Sequence, residues 1–158
     1  MRYNLIREID ISNADGISVS LFVQGCSHHC PQCFNPETWG YDGGKLWTKD
    51  IEDNFLKLID KPYINSVSIL GGEPIDQQEE LYEVLKKVNK PIWLWSGYLF
   101  EEIKHLKLMT VIDILVDGKF EVSKKDHNLK YRGSSNQRVI DVCKSLRQNK
   151  TILFEGRK

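Results

Sequence analysis

Three cysteines lie within eight residues, in the stretch Cys26-Ser-His-His-Cys30-Pro-Gln-Cys33. The spacing C-x3-C-x2-C places three thiolates on one short loop. A [4Fe–4S] cluster is normally held by four cysteines, one on each iron. Three cysteines therefore leave one iron open, and an open coordination position indicates catalysis rather than a structural role.

Two other uses of clustered cysteines must be compared with a cluster. Disulfides are typical of short secreted chains, but the amino terminus MRYNLIREID is charged and lacks the apolar core of a signal peptide. A structural zinc site is the stronger alternative, with His28 or His29 as the fourth ligand. Zinc ligands usually come as two separated pairs, and no second CxxC or HxxxH follows downstream. The residues favour an iron–sulfur cluster and leave zinc as the alternative.

Length and composition predict one cytoplasmic domain covering residues 1–158. The chain has 22 basic and 22 acidic residues and is 41% hydrophobic, which allows one core. Zero net charge gives no reason to expect a nucleic-acid partner. No apolar run reaches the ~18 residues of a membrane span. Thiols stay reduced in the cytoplasm, so Cys143 is predicted to be a partly buried free thiol.

Short apolar runs alternate with helical patterns along the chain. Strands are predicted at 17–23, 66–70, 91–95 and 111–116, with helices after Thr48 and at 77–88 and 100–106. This alternation predicts parallel strands joined by right-handed crossovers. A complete eight-unit barrel needs about 250 residues. The predicted fold is therefore α/β, an incomplete β/α barrel of mostly parallel strands with an open side.

Each predicted strand ends in residues that suit a binding site. The endings are the cysteine loop, the turn Gly71-Gly72-Glu73-Pro74, the run 96–98 and the run 117–119. Ligands collect at the carboxyl ends of parallel strands, so these four endings are expected to form one site. Glycines there let a ligand approach the backbone. The backbone and the Glu73 carboxylate are candidates to bind the ammonium group of an aminoacyl cofactor.

In the order of its motifs, the chain resembles radical S-adenosylmethionine enzymes, and more narrowly the activating enzymes of anaerobic ribonucleoside-triphosphate reductase. The runs that carry the resemblance are LFVQGCSHHCPQCFNPETW (21–39), ILGGEP (69–74), IWLWSGY (92–98), ILVDGKF (114–120) and YRGSSNQR (131–138). The cysteine motif identifies only the superfamily, whereas the last three runs make the narrower match. Much of the superfamily has an aromatic residue before the third cysteine, where this chain has Gln32. The narrower family carries its aromatic residue directly after the third cysteine, where this chain has Phe34. The segment 141–158 matches nothing that we can place.

The resemblance implies a cluster site and a cofactor site. It implies that Cys26, Cys30 and Cys33 bind three irons of one [4Fe–4S] cluster, whose fourth iron binds S-adenosylmethionine. The implied cofactor contacts are Gln32, Cys33 and Phe34 at the adenine and Gly71, Gly72, Glu73 and Pro74 at the methionine end. Reductive cleavage then gives a 5′-deoxyadenosyl radical, which takes hydrogen from a glycine of the large reductase subunit. No catalytic residue is implied beyond the cluster and the cofactor.

The resemblance also implies two protein partners, the large reductase subunit and a low-potential electron donor such as flavodoxin. Two alternatives stay open. The chain could activate another glycyl-radical enzyme or act as another small radical S-adenosylmethionine enzyme, or it could be a metal-bearing binding module without catalysis. Asp117, Lys119 and Arg132 are candidates for structural ion pairs or for contacts at the site. The segment 131–138 is expected to dock the partner or to close the site.

Overall fold

The structure, a computed structural model, describes residues 1–156. In this range the strands are Arg2–Asp10 (β1), Ser18–Val23 (β2), Lys45–Leu46 (β3), Ser66–Gly71 (β4), Ile92–Trp95 (β5), Ile114–Asp117 (β6) and Arg138–Asp141 (β7). The α-helices are Lys49–Ile59 (α1), Gln78–Leu85 (α2), Phe100–Ile103 (α3) and Val142–Gln148 (α4). None of these helices combines the length and the apolar character that a membrane crossing requires.

The strands form one sheet in the order β3-β1-β2-β4-β5-β6-β7. The four central strands β2, β4, β5 and β6 are parallel, whereas β1, β3 and β7 add antiparallel edges. The predicted α/β class and the parallel pairing of the four predicted strands are confirmed. Among the described residues the edge strands β3 and β7 do not pair, so the sheet is open. The incomplete barrel stays a prediction.

One face of the sheet is covered by helices. α1 begins after Thr48, whose hydroxyl accepts a hydrogen bond from the Ile51 amide at 3.3 Å. Phe55 of α1 and Leu81 of α2 are fully buried in the same core as Leu21 of β2. Burying side chains of this size stabilises the fold by roughly 1.5–3 kcal/mol each. The helices thus fix the positions of the parallel strands, whose carboxyl ends meet at one edge.

The opposite face carries polar side chains and a smaller apolar cluster. Ser18 and Ser68, on neighbouring strands, are fully buried, and their hydroxyls lie 3.0 Å apart. Trp93 and Ile114 form the smaller cluster together with the partly buried Trp95 and its neighbours. Within residues 1–156, no α-helix contributes to that cluster. This face therefore leaves space for the cavity described below.

Several boundaries differ from those predicted. α2 starts one residue later than expected, because the short 3-10 helix Pro74–Gln77 precedes it. It ends at Leu85 rather than at 88. β6 begins at Ile114 rather than at 111, since the preceding residues form a 3-10 turn that packs into the core. The described part of the segment 141–158 contains α4. Leu153, after this helix, forms an antiparallel β-bridge with Ile140. Residues 157 and 158 lie outside the described range.

The expectation that Cys143 is partly buried is wrong. Cys143 is free and exposed on α4. α4 turns Val142 and Ser145 toward the sheet, which leaves Cys143 on the solvent side of the helix. Partial desolvation by the neighbouring side chains and the carboxylate of Asp113 raise the pKa of this thiol, so it is not an activated nucleophile.

Candidate cluster and cofactor site

A cavity of about 480 Å³ lies at the carboxyl ends of the parallel strands. The residues that the four predicted strand endings contribute to its wall are Cys26, His28, Cys30, Cys33, Gly71, Gly72, Glu73, Ser96, Gly97, Gly118 and Lys119. Phe34 and Phe120, each directly after one of these endings, also line it. The sequence-predicted endings therefore surround one space. Two predicted cofactor residues are not part of the wall: Gln32 is exposed, and Pro74 is buried at the start of its 3-10 helix.

Each of the three clustered thiols accepts hydrogen bonds from backbone N–H groups. The donors are His28 and His29 for Cys26, Phe120 for Cys30, and Asn35, at 3.4 Å, for Cys33. Such N–H···S bonds stabilise thiolate ligands and tune the potential of the cluster they hold. The loop is thus built to accept negative charge on its sulfurs, which fits the three-cysteine ligand set.

Burial acts in the opposite direction on two of these thiols. It raises the pKa of Cys26 and of Cys30, and the nearby Glu73 carboxylate raises the pKa of Cys26 further. A thiol must lose its proton to bind a metal. Without iron Cys26 and Cys30 therefore favour the neutral thiol, and a cationic cluster would convert both to thiolates.

The cysteine loop has an unusual backbone. His29 and Gln32 have φ of 49° and 55°, in the left-handed region that few non-glycine residues adopt. Such a conformation costs on the order of 1–2 kcal/mol per residue. Backbone bonds hold the loop in this form, among them the one from the Cys33 amide to the Cys30 carbonyl at 3.1 Å. The strain therefore persists in the stretch that carries the thiols.

Both histidines of the loop have partners other than the thiols. The His28 Nε2 lies 2.7 Å from a Glu73 carboxylate oxygen, and the His29 ring stacks on Trp39 with centroids 4.7 Å apart. Within residues 1–156, no three His, Cys, Asp or Glu side chains are grouped to hold one metal ion. A [4Fe–4S] cluster does not need such grouping, because each cysteine binds a different iron. The positions of the histidines give no support to zinc as the alternative.

The Glu73 side chain is committed to the protein. Its carboxylate is 1% exposed and accepts hydrogen bonds from the Ile75 and Gly97 amides at 2.9 and 2.7 Å, and from the Ser96 hydroxyl at 3.0 Å. Together with His28, these donors surround the carboxylate. The carboxylate therefore has no position left for the cofactor ammonium group that the sequence suggested. The backbone carbonyl oxygens of the turn are the other candidates to accept from that group.

The two glycines of the turn allow close approach to protein backbone. Gly71 has a φ of 105°, which favours glycine. A Cβ at Gly72 would lie 2.2 Å from the Gly25 carbonyl oxygen. Gly72 therefore packs directly against Gly25, the residue that precedes Cys26. Its expected contact with a ligand stays a prediction.

The segment 131–138 closes one side of the cavity. The Gln137 side chain donates to the Gly118 carbonyl at 2.9 Å and accepts from the Gly133 amide at 2.9 Å. A Cβ at Gly133 would lie 2.6 Å from the Phe34 ring, and that ring packs on Phe120 at 4.9 Å. The segment is thus tied both to the loop after β6 and to the cysteine loop.

The charged candidates of the sequence divide into two groups. Asp117 is fully buried and forms an ion pair with Arg138 at 2.5 Å, so its role is structural. The Arg132 guanidinium donates to the carbonyls of Ser135 and Gln137, which stabilises the segment 131–138. Lys119 lies in the wall of the cavity.

Sequence reasoning missed part of the cavity wall. Arg7, Ser12 and Asn13 line it from β1 and the loop that follows. Asp10 holds this loop by accepting from the Ser12 amide at 2.7 Å and from the Asn13 side chain at 2.6 Å. No local pattern announces these residues, because β1 is half-exposed and rich in charged residues.

Comparison with known proteins agrees with this site. Residues 12–140 match the family model described as a 4Fe-4S single cluster domain. This match places the chain in the class of single-cluster iron–sulfur domains. The anaerobic ribonucleoside-triphosphate reductase-activating protein of Enterobacteria phage T4 is 38% identical over 146 residues, which cover 88% of this chain and 93% of the relative. Those of Salmonella typhi and Escherichia coli strain K12 are 36% and 35% identical, each over 88% of this chain and 97% of the relative. The chain belongs to the family of anaerobic ribonucleoside-triphosphate reductase-activating proteins, and the resemblance stated from the motifs is confirmed.

Proposed function

We propose that this chain activates an anaerobic ribonucleoside-triphosphate reductase by reductive cleavage of S-adenosylmethionine at a [4Fe–4S] cluster. The observation that carries the proposal is one cavity shared by three N–H-supported thiols and a glycine turn. The relatives are named for activation of that reductase. The chain acts as a single radical S-adenosylmethionine domain over residues 1–158.

Cys26, Cys30 and Cys33 bind one iron each in this proposal. Cys143 is unsuited to the fourth iron, because it lies on α4 beside Asp113. Asp113 precedes β6 and bonds the Ile92 amide at the start of β5, at the amino ends of the strands. The cavity is at the carboxyl ends, so the fourth iron is left for the cofactor.

The cofactor lies between the cysteine loop and the turn after β4. Gln32, Cys33 and Phe34 hold the adenine through their backbone, while Gly71, Gly72, Glu73 and Pro74 shape the place of the methionine end. Carbonyl oxygens of this turn are the acceptors for the ammonium group, since the Glu73 carboxylate is occupied. Pro74 begins the 3-10 helix that fixes the direction of the turn.

A cluster held by Cys26, Cys30 and Cys33 would supply the electron for reductive cleavage of S-adenosylmethionine to methionine. The resulting radical chemistry would remove one hydrogen atom from a reductase glycine, giving 5′-deoxyadenosine and a glycyl radical. The protein binds and orients these groups and keeps water away from them. Hydrogen transfer needs the glycine carbon within roughly 3–3.5 Å of C5′. The chain leaves the cavity open at one side, so the reductase loop completes its wall next to Phe120 and the segment 131–138. The electron donor is a low-potential protein such as flavodoxin.

Product analysis tests this function. Protein that is purified and reconstituted without oxygen should contain about four irons and four sulfides per chain, as the cluster formula requires. After reduction with dithionite it should convert S-adenosylmethionine to methionine and 5′-deoxyadenosine in equal amounts. Bound zinc in place of iron, or a reduced cluster that yields no 5′-deoxyadenosine, would refute the proposal. A different glycyl-radical partner remains the second candidate only if cleavage occurs and the reductase is not activated.

A further inference from the structure

Glu73 joins three turns that are distant in sequence. Its carboxylate contacts His28 of the cysteine loop, Ser96 and Gly97 after β5, and Ile75 in its own turn. His28 and Glu73 are separated by 45 positions, and their side chains are 8% and 1% exposed. A buried carboxylate with several donors has one stable orientation, so these contacts fix the three turns relative to one another.

His28 is held tightly in this arrangement. A Cβ added to Gly97 would lie 2.6–2.7 Å from two atoms of the His28 ring, so the ring rests on the Gly97 backbone. The Tyr98 ring packs edge-on against the His28 ring at a centroid distance of 4.7 Å. The imidazole therefore occupies a closed slot formed by the turn after β5 and the carboxylate after β4.

The cysteine loop has few other attachments to the turn after β4. The Glu73 amide donates to the Gly25 carbonyl at 2.8 Å, which fixes the chain just before Cys26. Ser27 contacts the Asp76 carboxylate at 3.2–3.4 Å, but that contact is exposed and contributes little. His28 is the buried link that lies between the first two cysteines.

We propose that His28 is a positioning residue, which sets the cysteine loop in the register that lets the open iron face the cofactor turn. This inference rests on the proposed function and adds a residue to it. The His28 side chain touches neither a thiol nor the cofactor in this account. It acts through the Glu73 carboxylate, so cluster assembly and cofactor binding depend on it to different degrees.

The expected effects of His28→Ala follow from the remaining contacts. All three cysteines stay, so iron and sulfide content should match the wild type. Glu73 keeps its bonds from Ser96, Gly97 and Ile75, so the fold should persist. The contact that joins the loop to Glu73, at the position between the first two cysteines, is lost. We expect S-adenosylmethionine to bind the reconstituted protein about tenfold more weakly, equivalent to about 1.4 kcal/mol.

Three further variants sharpen the test. His28→Gln restores an N–H donor at similar reach and should recover most of the affinity. Gly97→Ala pushes the ring out of its slot without altering His28 or Glu73, and should weaken cofactor binding as His28→Ala does. His105→Ala removes an exposed histidine on another surface and serves as the control. Cofactor affinity by calorimetry, the spectral change of the reduced cluster on cofactor addition, and iron content are measured for each.

The proposal predicts full iron content in all variants, together with weaker cofactor binding and a smaller spectral change in His28→Ala and Gly97→Ala alone. Wild-type affinity in both variants would overturn it. Loss of the cluster in His28→Ala would also overturn it, because His28 would then be needed for assembly. A wild type that binds no cofactor at all would instead refute the proposed function, and the inference would fall with it.

Discussion

The contact between Gly72 and Gly25 leads to a prediction about the stability of the fold. From the sequence, the glycine at position 72 is expected to let a ligand approach the backbone. In the structure, a Cβ at Gly72 would meet the Gly25 carbonyl oxygen at 2.2 Å and the Thr38 carbonyl oxygen at 3.0 Å. Gly72 does not have positive φ, so Gly72→Ala introduces a steric effect without backbone strain. The substitution should therefore destabilise the folded chain even without cluster or cofactor.

The size of the effect follows from the distances. Cβ contacts under 3.0 Å are essentially never seen, so the Gly25 oxygen must move by about 0.8 Å or more. Overpacking of this kind costs about 1–3 kcal/mol. The bond from the Glu73 amide to the Gly25 carbonyl, 2.8 Å long, is lost in that movement, which adds about 1 kcal/mol. The sum of about 2–4 kcal/mol corresponds to roughly 4–16 °C in Tm, at about 2–4 °C per kcal/mol for a domain of this size.

Thermal unfolding of the metal-free protein, followed by circular dichroism under reducing conditions, measures this loss. Gly40→Ala is the matched control, because a Cβ at Gly40 has no neighbour within 4 Å and Gly40 also lacks positive φ. We expect Gly40→Ala to melt within about 2 °C of the wild type, since surface substitutions usually change stability by less than 0.5 kcal/mol. If Gly72→Ala melts together with Gly40→Ala, the packing of the turn on the cysteine loop is wrong.

Three other predictions concern the cluster, the partner surface and the response to acid. Ala at Cys26, Cys30 or Cys33 should remove the brown absorbance and the activity, whereas Cys143→Ala should keep both; a retained cluster in Cys30→Ala contradicts the ligand set. Arg132→Ala should lower glycyl-radical yield more than iron content, because it loosens the segment 131–138. In hydrogen-exchange mass spectrometry, the reductase subunit should protect that segment and leave α2 unchanged. Protection of α2 alone contradicts docking of the reductase at the segment 131–138. Arg138 lowers the pKa of Glu101 to about 2, so this half-exposed ion pair should stabilise the fold by about 0.5–1 kcal/mol above pH ~4.5 and lose that effect as the pH falls toward 2. Glu101→Gln should therefore unfold at a lower urea concentration than the wild type at pH 7, and at the same concentration in acid. A difference in urea midpoint that persists unchanged at low pH contradicts the role of this ion pair.

The sequence predicted the elements whose burial leaves a local pattern. β2, β4, β5 and β6 are short apolar runs, and each is almost wholly buried. The edge strands gave no such signal. β1 is mostly exposed along its second half, and β7 is a short stretch in a polar segment whose start is fixed by the distant partner Asp117.

The same distinction applies to the site. The cysteine spacing and the glycine turn stand out as local motifs, and both line the cavity. The contacts of Glu73 depend on three turns that meet only in the folded chain, so the sequence could not assign its carboxylate. Cys143 was misjudged because its exposure depends on which face α4 presents to the sheet.

The central claim is that this chain places a glycyl radical on the large reductase subunit. Electron paramagnetic resonance of an oxygen-free mixture of both proteins, S-adenosylmethionine and a reductant measures that radical directly. A glycyl doublet is predicted with the wild type, and no doublet with Cys30→Ala or without S-adenosylmethionine. A wild-type protein that carries its cluster and cleaves S-adenosylmethionine yet gives no doublet, or a doublet that forms without S-adenosylmethionine, would contradict the claim.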